Sequence, residues 1–238
     1  MRAGDRVAEQ TGIGAARRYW DFIYAGAPGS RYERQLHHYG SGLNAIPALT
    51  RYRDDPSDLH LLRIGYAGTM GALTNIDEEG FASVAIHSFP DLLDWDAYSG
   101  DYGPNFLGHA LNTGTYVIDH DEFGWQAFGG NVSEADGRIT VQVTDSVRRR
   151  IYLAPYGLYL TLDAGRFQRV EIDRATGAVS VTLAPATAST PRAYLRVERP
   201  AQLPGVGDYA PVSSFEPERG AFVVPLGSSA PVVELRGS

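Results

Sequence analysis

Three consecutive carboxylates, Asp77, Glu78 and Glu79, are the residues of this sequence best suited to acid–base chemistry. Hydrolysis of a glycosidic bond needs one protonated and one ionised carboxyl group, and crowding separates the pKa values of neighbouring acids. In an extended segment Asp77 and Glu79 share a side, about 7 Å apart. Inverting hydrolysis uses a carboxyl separation of about 6.5–9.5 Å and retaining hydrolysis about 5–5.5 Å. The spacing leaves both open, because the partner carboxylate can be a later aspartate: Asp94, Asp96 or Asp101. The other interpretation of the triplet is a solvated loop that caps a helix.

Aromatic side chains follow these acids. Trp95, Tyr98 and Tyr102 lie among aspartates, and His87 precedes them. Aromatic faces stack on the C–H faces of sugars while carboxylates such as Asp96 accept hydroxyl hydrogen bonds, so the mixture predicts a glycan subsite. The alternative is an aromatic cluster that holds a long loop against the helices.

The charge around these residues is strongly one-sided. Residues 75–105 contain seven carboxylates, five aromatic rings and no arginine, and twelve acidic residues but no arginine lie between Arg63 and Arg138. An acidic block of this size disfavours nucleic acid and other polyanions. It suits a neutral polar ligand or a cation, so a neutral carbohydrate is the expected partner.

A metal site is the weaker interpretation of the same aspartates. Asp94, Asp96 and Asp101 could supply oxygen ligands to calcium, but the stretch lacks the spacing and the glycine of an EF-hand loop. The expectation is therefore that the site needs no metal or other cofactor, with calcium at these three residues as the alternative.

A polysaccharide lyase is another enzyme class that these residues could serve. His87, Tyr102, Asn105 and His109 are the residue types that such enzymes use to remove a proton beside a uronate carboxylate, which a cation must neutralise. No arginine lies between residues 64 and 137, which disfavours this reaction. The structural interpretation of His109 is a helix residue that is hydrogen-bonded in the core.

The composition is that of a soluble globular protein with one large or two modest domains. The chain has 238 residues, 43% hydrophobic and 21% charged, with no cysteine; all 21 basic residues are arginine. Disulfides, thiolate nucleophiles and Schiff-base chemistry are therefore excluded. No apolar run is long enough to span a bilayer and no signal peptide is visible, so no membrane partner is expected.

The first part of the chain has helical periodicity. Helices are predicted over Asp5–Ala27, from Tyr32 toward Arg53, and from Pro56 to Met70. A fourth should begin at Pro104, include Tyr116 and Val117, and close at residues 119–121. Glycines and Pro47 are expected to bend or interrupt the second helix.

After Phe123 the pattern changes to short segments that alternate with period two, separated by turns at 135–137, 163–165 and 175–177. Eight strands are predicted: 138–144, 151–153, 156–162, 167–172, 179–183, 194–197, 222–225 and 232–235. The segment 200–217 is rich in proline and glycine and is expected to be loosely ordered. The prediction is an α+β protein with a helical domain at 1–122, a site loop at 75–105, and an antiparallel β-sandwich domain at 123–238.

Two runs carry a family resemblance: YERQLHHYGSGLNAIPALTRYRDDPSDLHLLRIGYAG and LTNIDEEGFASVAIHSFPDLLDWDAYSGDYGPNFLGHALNTGTYVIDHDEFGWQAFGGNV. They resemble the carboxyl-terminal part of a large microbial family whose members are similar to (α/α)-toroid carbohydrate-active enzymes with β-sandwich domains. The resemblance implies polysaccharide degradation, a secreted or periplasmic location, and more helices than the four predicted here. The chain is therefore expected to be a fragment that lacks amino-terminal helices.

These observations together predict a glycoside hydrolase that acts on a neutral glycan. The catalytic carboxylates would be Asp101 and one of Asp77, Glu78 and Glu79. The substrate-binding residues would be His87, Trp95, Asp96, Tyr98, Tyr102, Asn105 and His109. The alternatives are a polysaccharide lyase and a non-catalytic carbohydrate-binding or scaffold module.

Overall fold

The fold is a β-rich α+β arrangement. The computed structural model describes residues 18–23, 32–71, 102–211 and 213–237. Backbone contacts divide the chain into two compact units: Met1–Tyr52 with Ser57–Asn112, and Arg53–Pro56 with Thr113–Ser238. We refer to them as the helical unit and the sheet unit.

The first described residues of the helical unit form a strand pair. Strands β1 (Arg18–Ile23) and β2 (Tyr32–His37) pair antiparallel. The prediction of helix over these two segments is therefore wrong. Neither strand alternates with period two (RYWDFI and YERQLH), and their apolar residues, spaced three and four apart, gave the helical pattern. In the described ranges 32–71 and 102–112 the unit contains the helices α1 (His38–Asp54), α2 (Leu59–Gly71) and α3 (Tyr102–Asn112). Pro47 lies inside α1, which continues past it uninterrupted.

Small residues let these helices approach closely. A methyl group added at Gly65 of α2 would lie 2.6 Å from Cγ of Leu49 on α1, and one added at Gly108 of α3 would lie 2.5 Å from the backbone carbonyl carbon of Gly42. Asn112 donates from Nδ2 to the carbonyls of Gly108 (2.6 Å) and Gly42 (3.3 Å). The end of α3 is thus fixed to α1 by a side chain that also satisfies a terminal carbonyl of its own helix.

The described residues of the sheet unit, 113–211 and 213–237, form thirteen strands. In chain order they are β3 (Thr115–His120), β4 (Gly124–Phe128), β5 (Gly130–Ala135), β6 (Arg138–Val143), β7 (Arg150–Leu153), β8 (Leu158–Leu162), β9 (Phe167–Asp173), β10 (Val179–Leu183), β11 (Arg192–Glu198), β12 (Tyr209–Pro211), β13 (Phe215–Glu216), β14 (Ala221–Pro225) and β15 (Val232–Gly237). One sheet has the order β12-β15-β10-β9-β6-β5 and the other the order β13-β14-β11-β8-β7-β3-β4. All pairs are antiparallel except β3 with β7, which is parallel.

The two sheets contribute to a single hydrophobic core. Inward side chains of the six-stranded sheet, such as Val141, Val170 and Val181, belong to the same buried cluster as Ile151 and Leu160 of the seven-stranded sheet. Burial of side chains from both sheets removes a large apolar area from water and is the main stabilising contribution here. This arrangement is compatible with the predicted β-sandwich.

All eight predicted strands are confirmed, and the predicted turns at 135–137 and 175–177 join β5 to β6 and β9 to β10. The fourth helix is wrong at its end, because α3 stops at Asn112 and Tyr116 and Val117 lie on β3. The first four residues of β3 are all buried, so this strand has no period-two alternation and its apolar run imitates a helix. The segment 200–217, expected to be loosely ordered, contains β12 and β13.

Among the described residues, no helix is both long enough and apolar enough to cross a bilayer.

Candidate functional site

Most of the residues predicted from the sequence to form the site lie outside the described part of the chain. This holds for all four predicted catalytic carboxylates and for most of the predicted substrate-binding residues and calcium ligands: Asp77, Glu78, Glu79, His87, Asp94, Trp95, Asp96, Tyr98 and Asp101. Their roles stay predictions.

Three predicted substrate-binding residues are on α3. Tyr102 and Asn105 lie in its first turn, where only the backbone is described. The imidazole of His109 is 7% exposed, and its Nδ1 lies 2.8 Å from the carbonyl oxygen of Thr69 on α2. This contact places His109 in the packed interior of the helical unit, as the structural interpretation of that residue expects, and its predicted role in binding a substrate stays a prediction.

The sheet unit has a groove of about 640 Å³ on the outer face of its six-stranded sheet. We call it the sheet-face groove. Its polar lining comes from four strands and one turn: Arg138, Glu171, Asp173, Thr176, Ser180 and Glu234. Val232, which is 56% exposed, adds an apolar patch.

Strand periodicity explains why these side chains face outward. On β9, Val170 and Ile172 are buried in the core while Glu171 and Asp173 are partly exposed. The same alternation holds on β6, on β15 and over the first three residues of β10. The pairing register then aligns Arg138 opposite Asp173 and Ser180 opposite Glu171, so polar groups from neighbouring strands meet on one face.

The carboxylates of the groove are held in different ways. The Asp173 carboxylate accepts backbone hydrogen bonds from Thr176 (2.9 Å) and Ala175 (3.0 Å), and these bonds, with that of Thr176 the largest contribution, hold its pKa below the usual value. The Glu171 carboxylate lies 3.4 Å from a guanidinium nitrogen of Arg169, its neighbour on the same face. At neutral pH Asp173 is therefore a fixed anion at one end of the groove.

The groove is acidic overall. Three carboxylates, on Glu171, Asp173 and Glu234, line it with the guanidinium of Arg138, and the guanidinium of Arg169 lies beside Glu171. Such a surface repels uronates and other polyanions, while its carboxylate, hydroxyl and guanidinium groups can accept from or donate to neutral hydroxyls.

A second polar cluster in the sheet unit is buried rather than open. Arg53 donates from Nη1 to the hydroxyl of Tyr116 (3.2 Å), and its guanidinium lies 4.6 Å from the ring centroid of Tyr159. Tyr152 donates its hydroxyl to the carbonyl of Arg53 at 2.8 Å. Burial raises the pKa of Tyr116 to about 12 and also raises that of Tyr152. Both phenols stay protonated at neutral pH, so neither can act as a general base, and the cluster holds structure together.

Among the described residues, no group of three histidine, aspartate or glutamate side chains could hold a metal ion. The predicted calcium ligands lie outside those residues, so the calcium alternative stays a prediction.

The sheet-face groove was missed in the sequence, although its signal was present. The alternation that identified β6 and β9 as strands also placed Arg138, Glu171 and Asp173 on the solvent side. The pairing register between the strands could not be predicted, because strand order depends on contacts between residues far apart in sequence. Only the register shows that these side chains share one surface.

Most of the chain matches a known protein family. The model of a family of unknown function, DUF5695, matches residues 7–234. Neither a curated protein nor a solved structure matches the chain.

Proposed function

We propose that this chain, which belongs to the DUF5695 family, acts on carbohydrate and binds a neutral glycan in the sheet-face groove. The observation that carries the proposal is the lining of this groove. Carboxylates, hydroxyls and one guanidinium line an open volume of about 640 Å³. The hydroxyls of a sugar are both donors and acceptors, and such a lining offers partners for both.

The charge of the groove supports a neutral ligand. Three carboxylates outnumber the guanidiniums of Arg138 and of Arg169 beside Glu171, so the local charge stays negative and disfavours a polyanionic glycan. The acidic block between Arg63 and Arg138 acts in the same direction. The ionisation state of Asp173 also matters. Because its pKa is lowered, this carboxylate is ionised at neutral pH and can accept a hydrogen bond from a sugar hydroxyl. Binding should therefore persist at neutral pH and depend little on salt.

The reaction we propose is glycoside hydrolysis by acid–base chemistry. Asp101 and one residue of Asp77, Glu78 and Glu79 would be the two carboxyl groups, and a toroid-like arrangement of the helices would carry them. The support is the spacing and crowding of these acids and the family resemblance of the surrounding sequence. In this proposal the sheet-face groove is a binding surface separate from the reacting carboxylates.

Binding is tested with the full chain on an array of neutral, amino-bearing and uronate-containing glycans. We expect binding to neutral glycans, weakened by Glu171→Gln and Glu234→Gln. Thr161→Val is the matched control, because Thr161 is a partly exposed residue of β8 in the other sheet. Binding that is confined to uronate glycans, or that survives both glutamate variants unchanged, would contradict the groove as a neutral-glycan site.

Hydrolysis is tested by product analysis on the neutral glycan that binds best. We expect a new reducing end and loss of turnover in Asp101→Asn and in at least one of Asp77→Asn, Glu78→Gln and Glu79→Gln. Unsaturated products that absorb in the ultraviolet, formed from a uronate-containing glycan of the array, would instead identify a lyase. Binding without turnover by the full chain would identify a non-catalytic carbohydrate-binding module.

A further inference from the structure

Outward side chains form a continuous row across five strands of the six-stranded sheet. The pairing register aligns Glu234 with Ser180, Ser180 with Glu171, Glu171 with Thr140, and Thr140 with Ser133. We call these five residues the polar row. All are exposed or partly exposed, and each has a hydroxyl or a carboxylate.

The sheet-face groove covers only part of this row. Glu234, Ser180 and Glu171 line the groove, whereas Thr140 and Ser133 continue the row to β5 at the edge of the sheet. Neighbouring strands lie about 4.8 Å apart, so five strands place these groups along a line of about 19 Å. A ligand confined to the groove would leave the last two residues of the row unused.

A second row runs beside the first. It contains Val232, Thr182, Arg169, Gln142 and Asn131, aligned by the same four strand pairings. The two rows are two residues apart along each strand, about 7 Å. A single sugar ring placed between them reaches hydrogen-bonding groups on both sides at β9, β6 and β5. On β10 the second-row residue Thr182 is only 8% exposed, and on β15 Val232 offers an apolar contact.

We infer that the sheet-face groove, if it binds a neutral glycan as proposed above, binds it as an extended linear chain that crosses the strands, with about one sugar unit for each strand. The strand spacing is close to the length of a pyranose unit in an extended β-1,4-linked chain, so successive units meet equivalent positions of the polar row. The twist of the sheet rotates each step by about 20–25°. Rotation about the glycosidic bonds lets an extended chain follow that twist, whereas a chain that coils leaves the surface after a few units.

The composition of the two rows sets the character of the binding. None of these ten side chains is aromatic, so ring stacking contributes nothing along the row and hydrogen bonds supply the affinity. Each hydrogen bond adds only a modest net contribution. Affinity should therefore increase with the number of sugar units until the row is filled.

The inference is tested by titration calorimetry of the full chain with β-1,4-linked gluco- and manno-oligosaccharides of one to six units. We expect Kd to fall with each added unit up to about five units, the number of strands in the row, and then to level off. Thr140→Val and Ser133→Ala should each weaken binding of the five-unit ligands by about threefold to tenfold, the effect of one lost hydrogen bond. Both variants should leave binding of the two-unit ligands unchanged, and Thr161→Val should change neither.

The outcomes separate the inference from the proposed function. Two results would contradict the extended binding mode: an affinity for neutral glycans that is independent of their length, or no effect of Thr140→Val and Ser133→Ala on long ligands. In either case the groove would remain the proposed binding site for neutral glycans. Equal binding of α-1,4-linked oligosaccharides, which coil, also overturns the extended mode. If no neutral glycan of any length binds, the proposed function of the groove fails together with the inference.

Discussion

Nη1 of Arg53 donates a hydrogen bond of 3.2 Å to the hydroxyl of Tyr116, a side chain that is only 1% exposed. The same guanidinium lies over the ring of Tyr159 at 4.6 Å from its centroid. The tyrosine rings of this cluster also meet edge to face, with centroids 6.2 Å apart for Tyr116 and Tyr152 and 6.3 Å apart for Tyr152 and Tyr159. One arginine therefore contacts three strands of the seven-stranded sheet through three tyrosines.

Replacing the arginine should destabilise the sheet unit. Arg53→Met removes the hydrogen bond to Tyr116 and the cation–π contact with Tyr159, so we expect the free energy of unfolding to fall by about 1–3 kcal/mol in urea titrations. Arg53→Lys should lose less, because it retains a cation but not the planar group. Arg51→Met is the matched control, since Arg51 is an exposed residue of the same helix and should change stability by less than about 0.5 kcal/mol. Equal effects at the two positions would show that the cluster contributes nothing specific.

The raised tyrosine pKa values predict a loss of stability at alkaline pH. Between pH 10 and about 12 the unfolded chain has lost the Tyr116 proton while the folded chain retains it. The folded state then binds more protons, so stability is complete below pH 10 and falls as the pH rises, by about 1.4 kcal/mol per pH unit for each such tyrosine. Tyr152, whose pKa is also raised by burial, adds to the slope.

Urea titrations at several alkaline pH values, with tyrosinate absorbance followed in parallel, measure this slope. Tyr116→Phe should make the slope shallower by about 1.4 kcal/mol per pH unit, because one linked proton is removed. A slope that is identical in the wild type and this variant would show that Tyr116 titrates normally.

Eight strands of the sheet unit and most of helices α1 and α2 could be predicted from local patterns, whereas β3 and the hairpin of β1 and β2 could not. Strands such as β6 and β9 have one buried and one solvated face, so their alternation is visible in the sequence. Strand β3 is buried on both faces for most of its length and pairs parallel with β7. Its residues therefore lack alternation, and no local sequence pattern distinguishes β3 from a continuation of helix α3. The hairpin of β1 and β2 was missed for a related reason, since apolar residues spaced three and four apart in it imitate a helix.

The candidate site was predictable only as single residues. Glu171 and Glu234 could be placed on solvent-facing positions of two strands, but β10 lies between those strands in the sheet. The groove exists because Ser180 of β10 pairs with both glutamates. That register is set by the shared core beneath, where contacts are distant in sequence. Local periodicity contains no information about it.

Asp145 should be a main support of the connection between β6 and β7. Its carboxylate, 6% exposed, accepts backbone hydrogen bonds from Val147 (3.0 Å) and Arg148 (2.6 Å) and one from the hydroxyl of Thr115 (2.9 Å). Asp145→Ala leaves these donors without that acceptor in a buried turn, so we expect a loss of about 2–4 kcal/mol in urea titrations. Asp145→Asn, which retains one acceptor oxygen, should lose less.

The control for this variant is Asp121→Ala, because Asp121 is an exposed turn residue. Its substitution should change stability by less than about 0.5 kcal/mol. Arg148→Gly supplies an independent check, since Arg148 has a φ of 56° and glycine adopts this conformation without the steric cost of a Cβ. A gain in stability in Arg148→Gly together with a loss in Asp145→Ala would show that backbone strain at Arg148 and the hydrogen bonds of Asp145 contribute independently to stability.

Gly108 should be intolerant of alanine although it lies inside α3. Alanine is normally favoured over glycine in a helix by about 1 kcal/mol. A Cβ at Gly108, however, would lie 2.5 Å from the carbonyl carbon and 2.7 Å from the carbonyl oxygen of Gly42, and backbone atoms cannot rotate aside as a side chain can. We expect Gly108→Ala to lower the stability of the helical unit by about 1–3 kcal/mol, the cost of overpacking. Gly65→Ala is a second overpacking variant. Its Cβ would lie 2.6 Å from Cγ of Leu49, which is fully buried, so we expect a loss of stability there as well. Hydrogen exchange of the α3 amides measures both, and a Gly108→Ala variant that exchanges more slowly than the wild type would show that α1 and α3 are not in the close contact described.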